Sequence, residues 1–130
     1  MNSIEELKEK AIEVSKNAYA TYSNFKVGCA LLTKSGNTYV GCNVENASYG
    51  LTICAERNAI AQAVGSEGDV EIDTLVVYTP TPKPTPPCGA CRQVIHEFGN
   101  PTVISFCESS ESTTDKMNAL LPNAFDLDKD

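Results

Sequence analysis

The sequence predicts an α/β protein in which helices cover a sheet, and three observations carry that expectation. Ile4, Leu7, Ala11, Ile12 and Val14, continued by Ala18 and Tyr19, recur at near-helical spacing among Glu and Lys, so the chain opens on an amphipathic helix suited to covering a sheet. Thr74-Leu75-Val76-Val77-Tyr78-Thr79 is nearly all apolar or β-branched, as expected of a buried central strand. Two further helix starts, at Cys54 and Gly89, each follow a segment that leaves one end of the sheet.

Taken in order, Ser3 caps the first helix. Lys26 to Thr33 and Asn37 to Cys42 read as two strands joined by Lys34-Ser35-Gly36, a hairpin with a glycine-containing turn. The polar stretch Asn43 to Gly50 is a loop leading into the helix opened by Cys54, which continues through Ala59-Ile60-Ala61-Gln62-Ala63-Val64 and stops near Gly65. After the strand at Thr74, Pro80, Pro82, Pro84, Pro86 and Pro87 force an extended loop up to Cys88; proline before a helix start fixes the approach of the turn. Gly89 to Phe98 makes a third helix, ended by Gly99-Asn100, and Thr102 to Phe106 a fourth strand. Glu108 to Asp115 is polar and weakly patterned, Lys116 to Leu121 forms a short terminal helix, and the acidic tail from Asp126 to Asp130 frays. With no internal repeat and no linker, residues 1–130 read as a single domain, large enough to bury a core without disulfides.

Charge and composition narrow the function. A net charge of −7 argues against a polyanionic partner, since a nucleic-acid binder needs a basic surface to displace counterions. The N-terminal run Met1-Asn2-Ser3-Ile4-Glu5-Glu6-Leu7-Lys8 is charged where a signal peptide needs an apolar stretch, and no later segment is long enough in apolar residues to span a bilayer. The expected home is a reducing cytoplasm, where the six cysteines (Cys29, Cys42, Cys54, Cys88, Cys91, Cys107) are free thiols or ligands.

The chemistry concentrates in Thr52-Ile53-Cys54-Ala55-Glu56-Arg57 and Pro87-Cys88-Gly89-Ala90-Cys91-Arg92-Gln93. Cys88 and Cys91 are three apart, so on a helix opened by Gly89 their sulfurs share a face and can grip one ion, with Cys54 as a third ligand. Glu56 is only two residues beyond Cys54, a spacing that does not bring side chains together on a helix, and is poorly placed to be a fourth ligand. Three protein ligands and an open position describe a catalytic zinc. Three thiolates leave such a centre net negative, which weakens its power to acidify water; two helix N-termini, and Arg57 or Arg92 as donors to sulfur, offset that charge.

At these residues the chain resembles the zinc-dependent cytidine deaminases, in the small form that uses three cysteines. The likeness extends to Tyr22-Ser23-Asn24-Phe25-Lys26-Val27-Gly28, Asn43-Val44-Glu45-Asn46-Ala47-Ser48-Tyr49 and Leu120-Leu121-Pro122-Asn123-Ala124-Phe125. It implies a three-layer α/β/α sandwich with a mixed sheet, the metal between two helix N-termini, and a fifth strand that Glu111-Ser112-Thr113-Thr114 supports poorly. It also implies Zn2+ on Cys54, Cys88 and Cys91, with Glu56 as general acid and base in the hydrolytic deamination of a cytosine nucleoside. Phe25 would stack on the pyrimidine, Asn43 and Glu45 hold the ribose hydroxyls, and the N–H of Ala55 hold the base carbonyl. The family often forms homotetramers, and Tyr49 and Phe125 are the candidates for reaching into a neighbour's pocket.

Each of these residues also has a plainer reading. Cys-x-x-Cys at a helix start describes a redox dithiol as well, a weaker reading beside Cys54-Ala55-Glu56. A closed structural zinc would need a fourth sulfur; Cys29 and Cys107 are more simply core thiols, whereas Cys42 stands next to Asn43 near the pocket. Glu56 alone would merely complement a helix dipole, and Phe25, Asn43, Glu45, Tyr49 and Phe125 are all types common in packing or solvated loops. His96 lies well past the metal-facing start of its helix and is set aside as a ligand. Three stretches depart from the family pattern: Asn58 where Thr is usual, Pro86 where Ser is usual, and Ala20-Thr21 in place of a proline-containing approach. Within the same fold the alternative is a deaminase of modified cytosine nucleosides, and outside it a non-catalytic zinc module.

Overall fold

The computed structural model describes residues 3–127; residues 128–130 of the tail expected to fray lie outside them. Helix α1 (Ile4–Ser15) begins at Ser3, whose hydroxyl accepts from the Glu6 amide while the Glu6 carboxylate accepts from the Ser3 amide, a reciprocal cap. The helix stops at Ser15, short of where the apolar pattern points. Tyr19 instead forms an isolated bridge with Val44. Strands β1 (Gly28–Thr33) and β2 (Thr38–Cys42) form the expected hairpin, with Gly36 at φ 96° in its turn.

A one-turn 3-10 segment (Tyr49–Leu51) precedes α2 (Ala55–Glu67). This helix runs through Gly65 instead of stopping there. Gly68, at φ 79°, follows it and donates to the Val64 carbonyl. The Glu67 carboxylate in the added turn accepts from Ser35, Asn37 and Tyr39 at 2.7 Å and from Thr33 at 3.3 Å. These bonds bolt the end of α2 to the hairpin turn.

Strand β3 (Ile72–Tyr78), helix α3 (Gly89–His96), strand β4 (Thr102–Phe106), strand β5 (Ser112–Lys116) and helix α4 (Met117–Leu120) complete the order. The sheet runs β2-β1-β3-β4-β5. Only the β3–β4 pair is parallel, so the sheet is mixed. The poorly patterned segment does form the fifth strand, an exposed edge paired antiparallel to β4.

Strand alternation divides the core in two. Cys29, Leu31, Leu75 and Val103 pack with Ala55, Ala59, Ile60, Ala63, Ile95 and Met117 under the later helices. Ala30, Val76 and Ile104 pack with Leu7 and Ala11 of α1 on the other face. The result is the α/β/α layering. Gly28 at the start of β1 pairs with Cys42 at the end of β2 and with Tyr78 at the end of β3, so three strand termini meet at one edge. The segments carrying Phe25, Asn43 and the proline loop all leave from there.

Candidate active site and metal centre

Both cysteines that open helices occupy N-cap positions. Cys54 caps α2 and Cys88 caps α3, each with extended backbone, and Cys91 lies in the first turn of α3. The three sulfurs lie within 4.8 Å of one another, close enough to bind one ion, and both helix N-termini present partial positive charge to them. Among the described residues no fourth Cys, His, Asp or Glu joins the cluster. Cys29 and Cys107 are buried thiols, the latter hydrogen-bonded to Ser109 and the Glu111 carbonyl, and Cys42 stands apart.

The donor chemistry fits a soft divalent cation such as zinc. A hydrogen bond from the Cys91 thiol, joined by the Arg57 guanidinium, lowers the Cys54 pKa to about 5 despite partial burial. Cys91 is pushed well up by the same shared proton, by burial and by the charge of Glu56. A metal bound by the three sulfurs would take the place of these shared protons. Arg57 Nη2 lies 3.4 Å from Cys54 Sγ, and its buried Nε has no hydrogen-bond partner. Arg92 serves otherwise. It donates to the Pro87 carbonyl at 2.7 Å and the Leu120 carbonyl at 2.9 Å, bracing the turn before Cys88 against the C-terminal segment.

Glu56 is 5% exposed, and burial first, then the Cys54 charge, raises its carboxyl to about 7 against the pull of its own backbone amide and of Arg57. It lines one cavity with Phe25, Asn43, Ala55, Cys54 and Cys88. The amide of Ala55 belongs to the first helical turn, where N–H groups lack intrahelical partners. Thr52, Val27, Val77, Thr79, Thr85 and Pro86 complete the lining. Sequence reasoning had not singled out Thr79 and Thr85, and no local pattern marks them.

Asn43 reaches the cavity, whereas Glu45 is buried beside it and is not among the lining residues. Tyr49 and Phe125 are 63% and 67% exposed and stand outside the cavity. Asn58 donates to the Cys42 carbonyl at 2.8 Å, tying α2 to the strand end before Asn43. His96 is remote from the sulfurs and pairs with Asp126 at 2.8 Å, so the tail is fastened at that residue.

A mixed α/β/α sandwich with an open three-thiol centre beside a buried, neutral-range carboxylate defines a metal-dependent hydrolase of small molecules. The chain belongs to the family of the cytidine and deoxycytidylate deaminase zinc-binding region, whose model matches residues 1–107. It is 41% identical to a cytidine deaminase of Sporosarcina psychrophila over 124 residues, covering 94% of this chain and 90% of that one. It is 51% identical to a cytidine deaminase of Halalkalibacterium halodurans over 90 residues, 69% of this chain and 67% of the relative. Among solved structures, the cytidine deaminase of Burkholderia pseudomallei superposes with a TM-score of 0.91 at 41% identity, covering 95% of this chain and all of that one. That of Mycobacterium tuberculosis gives 0.79 at 34% identity, with 98% and 100% covered.

Proposed function

We propose that this chain is a zinc-dependent deaminase that hydrolyses cytidine, and deoxycytidine with it, to the uridine product and ammonia, as a step of pyrimidine salvage. The observation that carries this reading is the buried carboxylate of Glu56 in the same cavity as the Cys54 and Cys88 sulfurs. Cys54, Cys88 and Cys91 would hold the zinc, which when bound supplies a Lewis acid that acidifies water for attack on C4 of the base.

The remaining work falls to side chains and backbone. Glu56 takes a proton from the attacking water and returns protons to N3 and to the departing amine, a task suited to a carboxyl poised near neutrality. The Ala55 N–H holds the base carbonyl, the Pro86 carbonyl meets the exocyclic amine, and Phe25 lies against the ring. Asn43 and Glu45 hold the sugar. Arg57 offsets thiolate charge through its contact with Cys54.

The whole of residues 1–130 acts as one catalytic domain on a free nucleoside, a substrate that suits a chain of net charge −7 better than nucleic acid does. No helix among the described residues is long and apolar enough to cross a membrane, and the cytoplasm is the proposed location. The exposure of Tyr49, Leu51 and Phe125 supports a homotetramer in which Tyr49 and Phe125 complete neighbouring pockets.

Ammonia release from cytidine by zinc-loaded protein tests this, with Glu56→Gln in parallel. The wild type is expected to turn over, and the variant to keep one zinc per chain and lose on the order of 10²-fold or more in kcat. Equal rates would overturn the role of Glu56. Zinc retention without wild-type turnover would overturn the substrate.

A further inference from the structure

Phe25 faces the cavity from a segment with neither helix nor strand, so something other than regular structure must fix its ring. Both of its backbone polar groups are held by side chains. Its N–H donates to Ser23 Oγ at 3.0 Å, and its carbonyl accepts from Asn43 Nδ2 at 2.8 Å. Asn43 Oδ1 also accepts from the Val27 amide at 2.9 Å. Between Ser23 and Phe25, Asn24 adopts φ 61°, a left-handed conformation that asparagine tolerates.

Ser23 has a second bond. Its hydroxyl donates to Glu45 Oε2 in a short contact, and Glu45 Oε1 accepts from the amides of Tyr22 at 2.9 Å and Ser23 at 3.1 Å. A carboxylate offers about four acceptor positions, and three of those on Glu45 are occupied by this one turn. The direction of the remaining position is therefore set by Ser23 and its neighbour. The same hydroxyl orients the carboxylate and receives the amide of Phe25.

We propose that Ser23 is a positioning residue that sets the buried carboxylate of Glu45, given to the sugar in the proposed function, and the cavity-facing ring of Phe25 as one unit. This rests on the deaminase reading of the same cavity. Ser23 touches neither the sulfurs nor Glu56, so its loss acts on binding more than on proton transfer. The separation of KM from kcat is what distinguishes positioning of the binding end from general loosening of the fold.

The test compares wild type, Ser23→Ala and Ser23→Thr, all zinc-loaded, by steady-state kinetics on cytidine, by competitive inhibition with uridine, and by Tm and zinc content. For Ser23→Ala, KM and the uridine inhibition constant are expected to rise together about tenfold, equivalent to about 1.4 kcal/mol, while kcat falls by no more than about threefold. That size suits the loss of a hydrogen bond to a charged group. Ser23→Thr keeps the hydroxyl and is expected to restore both constants to within about twofold to threefold. Unchanged KM and inhibition constants in Ser23→Ala, or a fall in kcat at constant KM, would overturn the inference while leaving the deaminase reading intact. Absence of wild-type turnover would instead overturn the deaminase reading, and the inference with it.

Discussion

At Gly41 strand β2 lies close against the backbone of α2, and replacing it with alanine measures how tightly that contact sets the chemistry. A Cβ there would stand 2.4 Å from the Ala59 nitrogen, 2.6 Å from the Ala55 carbonyl oxygen and 2.9 Å from the Ala59 Cα. All three are backbone atoms of α2, which cannot rotate away as a side chain can. Ordinary contact starts near 3.4 Å, so the start of α2 must retreat by about 1 Å. Overpacking of this kind costs about 1–3 kcal/mol, which for a chain of this size lowers Tm by roughly 3–12 °C. The displaced turn carries Cys54, Ala55 and Glu56, and a misplacement of about 1 Å costs on the order of 10²-fold in rate. Gly65→Ala supplies the contrast within the same helix. Nothing lies within 4 Å of its added Cβ, and alanine is favoured over glycine in a helix by about 0.5–1 kcal/mol, so Tm should rise and turnover hold. Calorimetry and ammonia release read both variants. A Gly41→Ala protein with wild-type Tm and rate would refute the argument that close packing of β2 on α2 aligns the site.

Two further outcomes follow from the charged groups. The Ser23 hydroxyl holds the Glu45 carboxyl below the ordinary carboxylate range; a depressed folded-state pKa contributes stability that is fully present above the unfolded value and lost as pH falls through the folded one. The Tm advantage of wild type over Glu45→Gln is therefore expected to be larger at pH 7 than at pH 3, and a difference that grows on acidification would refute this. Removal of zinc by a chelator should abolish turnover and expose Cys54, with its thiol lowered to about 5, to alkylation at pH 7, well ahead of buried Cys29, whose pKa is pushed up. Peptide mapping after iodoacetamide checks the order, and added zinc should protect Cys54.

Much of this architecture is legible in the sequence because its causes are local. The spacing of Cys88 and Cys91 is a property of one helical turn, and both capping cysteines were readable from the same logic. The buried β3 was announced by its unbroken apolar run. Strand β5 was not, because Ser112–Lys116 is an edge strand with almost no buried side chain, and its pairing with β4 is made by backbone. The end of α2 at Glu67 is hidden from the local sequence for a related reason. Gly65 is an ordinary helical glycine there, and the last turn is held by a Glu67 network reaching 28 to 34 residues back along the chain. Ser23 and Glu45, 22 residues apart, belong to the same class of long-range bond. What gathers the cavity's residues is the register of the sheet: Gly28 opposite both Cys42 and Tyr78 brings three strand ends together. A one-residue slip of a strand there would turn all of its core side chains to the wrong face. The hydrophobic alternation that selects the register therefore also selects which polar residues meet at the cavity, so the apolar pattern of the strands specifies the geometry of the candidate site as much as the cysteine motifs do.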